Sequence, residues 1–278
     1  MNRRPPSYKP HGQPTRGKTA CNRLRRVDLF LLKYDAGLLR RRSGLFERAC
    51  FVDLGYGATP VTTLESAERF RRVNPALPVL GVEIDPERVA NGLPYEDDLT
   101  HFRLGGFNLP LRAWPDGEPE TARLIRAFNV LRQYDEADVA DAWGRMTARL
   151  APGGMLFEGT CDEIGRIASW VDVDATGAPQ RLTISLRLAG LERPGIVAER
   201  LPKALIHRNV PGERVYDLLV ALDREWERAA PLSTFGPSQR FIAAVTALRD
   251  QGVPVQGDRR RWRLGELTVP WDAVAPAS

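Results

Sequence analysis

The chain of 278 residues is poor in the groups that staple folds or ligate metals: three cysteines, Cys21, Cys50 and Cys161, and three histidines, His11, His101 and His207. They are widely spaced, with no C-x-x-C pair and no metal-ligand spacing, so neither a disulfide framework nor a zinc site is expected. Long apolar runs are also missing. Residues 29–32 are cut short by Lys33 and Asp35, far below the ~18 to 20 residues of a spanning helix and too far from Met1 for a secretory signal. With no membrane span or export signal visible, the cytoplasm is the expected compartment and free thiols the expected state of the cysteines. Lysine is nearly absent too: four lysines stand against 36 arginines, a bias that base composition alone can produce.

What is present is ordinary globular material. Hydrophobic residues at 43% and charged residues at 27% exclude a wholly disordered or fibrous chain, and the length suits one large α/β domain or a domain plus a cap. The formal charge of +5 is unevenly spread: residues 1–43 carry twelve Lys/Arg against Asp28 and Asp35, so the remainder is net −5. Residues 1–20, with Pro5, Pro6, Pro10 and Pro14, cannot form an apolar face and read as a flexible basic arm. Residues 21–48 read as an amphipathic helix, because Val27, Phe30, Leu31, Tyr34, Leu38 and Leu39 recur at helical spacing. Arg23, Arg25, Arg26, Arg40, Arg41 and Arg42 would be the phosphate contacts if the partner were RNA.

From residue 50, short apolar runs alternate with helical patterns. Residues 50–54, 78–84, 102–104, part of 122–131, and 155–159 read as strands; 62–73, 86–91 and 135–150 read as helices, the last ended by Pro152-Gly153-Gly154. Such alternation implies a doubly wound, mostly parallel α/β sheet. Residues 166–173 and 181–188 flank a turn-rich loop and read as an antiparallel strand pair. Helical stretches follow at 212–229 and 238–251, then an aromatic and β-branched segment at 262–271. The expected organisation is a binding domain over 49–190 and a mainly helical 191–278 that either caps it or continues it.

The chemistry concentrates in Phe51-Val52-Asp53-Leu54-Gly55-Tyr56-Gly57-Ala58-Thr59-Pro60 and Val82-Glu83-Ile84-Asp85-Pro86. Gly55 and Gly57, at the carboxyl end of a first parallel strand, permit a sharp turn and close approach of a ligand. Glu83, ending the second strand, could accept both hydroxyls of a ribose, a charge-assisted contact of roughly 1.5 to 3 kcal/mol. A nucleoside cofactor at the switch point is therefore expected. A dinucleotide fingerprint would need a third glycine, or Ala, where Pro60 stands. Pro60 has no N–H for a phosphate and Asp53 would repel one, so a phosphate-free cofactor carrying positive charge fits better than a nicotinamide dinucleotide.

These residues resemble the class I S-adenosylmethionine-dependent methyltransferases. The likeness covers residues 50–160: the Asp53-Leu54-Gly55-Tyr56-Gly57 turn, the acidic Glu83, Arg126-Ala127-Phe128-Asn129-Val130-Leu131 at the fourth strand, and Leu150-Ala151-Pro152-Gly153-Gly154 before the fifth. The resemblance implies a Rossmann-like fold and S-adenosyl-L-methionine as cofactor. It implies that Asp53, Gly55 and Gly57 line the methionine end, that Glu83 holds the ribose, that Asn129 lies under the cofactor and that Tyr56 is among the cofactor contacts. One departure is Gly106, where the family carries an acid near the adenine amino group; adenine recognition then falls to backbone groups, Asn108 or stacking on Phe107.

Structural roles compete at several positions. Asn129 serves equally as a strand-end cap, and Asp85 reads as the N-cap of the helix opening at Pro86. Glu158, Cys161, Asp162 and Glu163 offer a base or a solvated loop after the fifth strand, and His207-Arg208-Asn209 reads as a hydrogen-bonded polar loop. No catalytic residue stands out. Because Asn129-Val130-Leu131 replaces the Asn/Asp-Pro-Pro-Tyr/Phe run of enzymes acting on exocyclic base amines, the resemblance favours a small-molecule acceptor. An RNA methyltransferase using the basic arm and a non-catalytic S-adenosylmethionine-binding module are the alternatives. The sequence specifies no oligomeric state.

Overall fold

In the computed structural model, which describes residues 10–14, 19–114 and 116–277, the apolar runs form the middle of one eight-stranded sheet. Helices α1 (Arg25–Tyr34) and α2 (Ala36–Arg40) precede β1 (Cys50–Leu54), α3 (Val61–Arg71), β2 (Val79–Glu83), α4 (Pro86–Gly92) and β3 (Thr100–Leu104). Then come β4 (Ala122–Phe128), α5 (Val139–Thr147), β5 (Leu150–Cys161), β6 (Ile167–Asp174) and β7 (Pro179–Leu186). The chain continues through α6 (Lys203–Ile206), α7 (Arg214–Arg228), α8 (Pro237–Asp250) and α9 (Arg259–Trp262) to β8 (Glu266–Pro270).

The strand order is β3-β2-β1-β4-β5-β6-β7-β8. Pairing is parallel from β3 through β5 and antiparallel from β5 through β8. The fold is doubly wound and Rossmann-like, and the expected antiparallel pair, β6 and β7, is extended on either side by β5 and β8. Every residue of β1, β2 and β4 is buried, as parallel strands covered on both faces require. One face packs Phe30, Leu31, Phe51, Phe70, Phe157 and Trp170 beneath α1 and α3. The other packs Trp143, Leu156, Val171, Leu222, Trp226 and Phe241 beneath α5, α7 and α8. Each such large side chain contributes about 1.5 to 3 kcal/mol by burial.

Several expected elements change on folding. The helix expected over 21–48 breaks at Asp35, which is extended (φ −140°, ψ 123°) and caps α2 by accepting from Gly37 N at 2.7 Å. The helix expected over 135–150 is α-helical only over Val139–Thr147. Pro152-Gly153-Gly154 lies inside β5, where the register jumps from Ala122↔Leu150 to Leu124↔Met155. Gly153 there has φ 81°, so the segment loops out of the ladder instead of ending a helix. β8 pairs with β7, which joins the C-terminal stretch to the same sheet. Of the flexible arm expected over 1–20, residues 1–9 and 15–18 lie outside the described residues; His11, Gln13 and Thr19 are hydrogen-bonded to the rest of the molecule. Among the described residues no helix is long and apolar enough to cross a membrane.

Candidate functional site

The strand order reverses between β1 and β4, and their carboxyl ends open the crevice where ligands of such sheets bind. Gly55 (φ 72°) and Gly57 (φ 89°) turn the chain there in the left-handed region that favours glycine. A Cβ on Gly57 would lie 2.4 Å from Thr19 Oγ1. Glu83, 1% exposed at the end of β2, is fixed against this turn: its Oε2 accepts from Gly57 N and its Oε1 from Ile84 N, both at 2.9 Å. Each carboxylate oxygen has a second lone pair, so the anchored acid keeps capacity for ligand hydroxyls. Asp85 is the N-cap of α4, accepting from Glu87 N at 2.9 Å with Pro86 in the first turn.

Behind the turn lies a buried ionic network. The parallel register sets Asp53 opposite Arg126, whose Nη2 lies 2.8 Å from Asp53 Oδ2 and whose Nε donates to Oδ1 at 3.0 Å. Arg126 also donates to Asp28 Oδ1 on α1 and, at 2.7 Å, to Ser66 Oγ on α3. Thr63 Oγ1 donates to Asp53 at 2.7 Å, and Arg69 Nη1 to Asp28 at 2.7 Å. Two arginines thus balance two aspartates where unpaired charge would be costly. The sequence reading quoted Arg126 only as part of a motif and missed Asp28, Ser66 and Thr63; two arginines in the otherwise apolar run of β4 were the available signal.

The remaining expected site residues line two adjoining cavities, with Gly55 in both. Asp53, Gly55, Gly57 and Asn129 line a cavity of about 40 Å³ with Thr19 and Arg23. Glu83 and Phe107 line a second, of about 20 Å³, with Gly106 and Tyr134. Tyr56 also lines the first; its ring packs edge-on against Phe102 and its hydroxyl donates to Arg88 O at 3.0 Å. Asn129, at φ 60°, ties the ends of β4 and β5 together through Cys161: its Nδ2 lies 3.3 Å from Sγ and its Oδ1 accepts from Cys161 N at 3.0 Å.

Glu158 is not in the loop after β5 but within the strand, fully buried, and among the described residues neither carboxylate oxygen has a partner at hydrogen-bond distance; burial pushes its pKa up to about 8 against a smaller lowering by the Trp143 side chain. Asp162 closes the following turn by accepting from Arg166 N at 2.7 Å, and Glu163 pairs with Arg200 at 3.2 Å. His207 stands 2.9 Å from Lys203 Nζ, and Arg208 bonds Glu136 and Glu213.

Among the arginines expected to meet RNA, Arg26 is committed to the fold. It donates to Ser185 Oγ (3.0 Å), Leu186 O (2.8 Å) and Leu264 O, tying α1 to β7 and to the approach of β8. Arg23 donates to Asp162 O at 2.9 Å and Cys161 O at 3.4 Å. Arg25, Arg40, Arg41 and Arg42 are exposed, Arg42 also donating to Val73 O. Among the described residues no group of three His, Cys, Asp or Glu is placed to hold a metal ion.

No family model matches the sequence, and no curated protein matches it. Solved structures similar to the chain include a Galdieria sulphuraria protein named as a sarcosine dimethylglycine methyltransferase (17% identity, TM-score 0.36, 49% of this chain and 46% of that one). Others are a magnesium protoporphyrin IX methyltransferase from Synechocystis with bound S-adenosylhomocysteine (12%, 0.35, 50% and 54%) and an O-methyltransferase from neocarzinostatin biosynthesis (17%, 0.31, 48% and 39%). The matched region spans about half, or less, of each of these chains. At TM-scores below 0.5 these likenesses decide nothing about activity. By its own strand order and switch-point crevice, the chain is a Rossmann-like α/β protein.

Proposed function

We propose that the chain is an S-adenosylmethionine-dependent methyltransferase with a small-molecule acceptor. The observation that carries this is the buried Glu83 carboxylate, held against the left-handed Gly55-Tyr56-Gly57 turn by Gly57 N. The start of α3 supports a cofactor without phosphate. Pro60 precedes the helix and has no N–H to offer a phosphate, and the Thr62 and Thr63 hydroxyls reach back to the buried Asp53 at 3.4 and 2.7 Å, so the first-turn hydroxyls are engaged inside the protein instead of at a pyrophosphate. When bound, the cofactor supplies a methyl group activated on a sulfonium. Gly55 and Gly57 would take its amino-acid end, Glu83 its ribose, and Phe107 with Asn108 its base, while Asn129 would lie under it. The chain's own tasks are alignment of acceptor and methyl and exclusion of water.

The small-acceptor reading rests on what covers the sheet edge next to this crevice. Thr160 and Ser169, on β5 and β6, both donate to Arg200 O, the latter at 2.6 Å, holding the segment around residue 200 over the strands. Use of Arg26 in the fold weakens the RNA reading. Calorimetry with S-adenosylmethionine, S-adenosylhomocysteine and NADH tests the class. We expect the first two to bind and Glu83→Ala to weaken them by about 10- to 100-fold, the equivalent of the ribose contact. NADH binding alone, or unchanged binding by Glu83→Ala, would overturn it. Binding without labelled methyl transfer into any fraction of a cell extract would favour the non-catalytic module.

A further inference from the structure

The base end of this site is filled by the chain itself. Phe107 N donates to His11 O at 2.9 Å, and His11 N donates to Asn108 Oδ1 at 3.1 Å. The backbone of His11 thus presents an acceptor and a donor, the same complement that a ring nitrogen and an exocyclic amine offer on an adenine edge. Gln133 Nε2 donates to Gln13 O at 3.0 Å and Pro14 O at 2.9 Å, fixing the segment beyond it. A Cβ on Gly106 would lie 2.0 Å from His11 O, so the absent side chain at 106 makes room for this backbone. The space left beside Glu83 and Phe107 is about 20 Å³, against roughly 300 Å³ or more for a small-molecule site.

We propose that residues 11–13 and the nucleoside compete for one place, so that the cofactor binds only when the N-terminal segment withdraws. This rests on the cofactor reading above. The same two groups, Phe107 N–H and Asn108 Oδ1, read either occupant, and Glu83 lines the cavity that the segment closes. Whatever holds the segment away would raise the affinity for cofactor; docking of the segment lowers it.

The test is Gly12→Val in the full chain. Gly12 has φ 144°, and its Cβ would lie 3.0 Å from Tyr134 Oη and 3.4 Å from Ile84 Cδ1, so valine unseats the segment without touching Glu83 or the glycine turn. Gln133→Ala, which removes two anchoring bonds, is the milder second variant. S-adenosylhomocysteine is titrated by calorimetry, and amide exchange is read at His11 and Phe107. We expect tenfold or tighter binding by Gly12→Val, a smaller gain for Gln133→Ala, and protection of His11 N–H that is lost when the ligand saturates wild type. Equal or weaker binding by both variants, or a His11 amide still protected at saturation, would overturn the competition and leave the cofactor reading standing. No binding by any of the three proteins would overturn both.

Discussion

Arg126 on β4 and Glu158 on β5 are fully buried on neighbouring strands, yet among the described residues one has hydrogen-bond partners on three elements and the other has no partner at hydrogen-bond distance. Arg126 faces α1 and α3, which bring Asp28 and Ser66, while β1 brings Asp53. Glu158 sits level with Ala127 and Val171 on the opposite face, where the neighbouring core is apolar. Burial there penalises the charged form, and the carboxyl responds by holding its proton up to a pKa of about 8. One face of the sheet thus stores a neutralised ionic network next to the glycine turn; the other stores a neutral acid in an apolar layer.

Breaking the compensated side has the largest expected effect. Arg126→Met leaves Asp28 without one of its two guanidinium partners and Asp53 without its own, and should cost about 3 to 5 kcal/mol in urea unfolding. Replacing Asp28, Asp53 and Arg126 together by apolar residues of similar volume should recover most of that loss. A single Arg126→Met loss under about 1 kcal/mol would show that the network carries no more than a surface pair.

The uncompensated side is read by pH. Because the folded pKa of Glu158, about 8, lies above its ordinary value of 4.5, the native state keeps a proton that the unfolded chain has already released between those values. Its contribution is therefore fully present at low pH and is lost as pH rises through 8. Between pH 6 and 8 this group should remove about 2 kcal/mol of stability, and Glu158→Gln should remove that part of the slope. An unchanged slope in Glu158→Gln would place the titration elsewhere.

The same contrast separates what could be read in the sequence from what could not. The strand-turn-helix at 50–61 and the acid at the end of β2 were legible because their signals are local: an apolar run, left-handed glycines, a proline opening a helix. Asp85 was legible as a cap for the same reason. The partners of Arg126 lie 73 and 98 residues away; the register of β1 on β4 brings Asp53 to it, and the packing of α1 brings Asp28. Asp35 reads as a polar position on one amphipathic helix, although its extended backbone ends α1 and its side chain starts α2. Residues 191–278 were ambiguous because β8 finds its place only through β7, some 80 residues earlier. His11 carried no signal at all, since its backbone and not its side chain makes the contact.

Asp85 gives the smallest and most selective change. It lies at the solvent-facing end of β2, two residues from Glu83, and its side chain satisfies one N–H of α4 while its Oδ2 stands 3.7 Å from Arg88 Nε. Water can replace both contacts in part, so Asp85→Ala should cost only about 1 kcal/mol, well below either buried position. If the cap is structural and Glu83 is the ribose acceptor, this variant binds S-adenosylhomocysteine with unchanged affinity while Glu83→Ala, two residues away, does not. A tenfold loss in Asp85→Ala with little loss of stability would instead move the ligand contact from the buried acid to the half-buried one, and would show that full burial at the strand end is not what selects the cofactor-binding carboxylate.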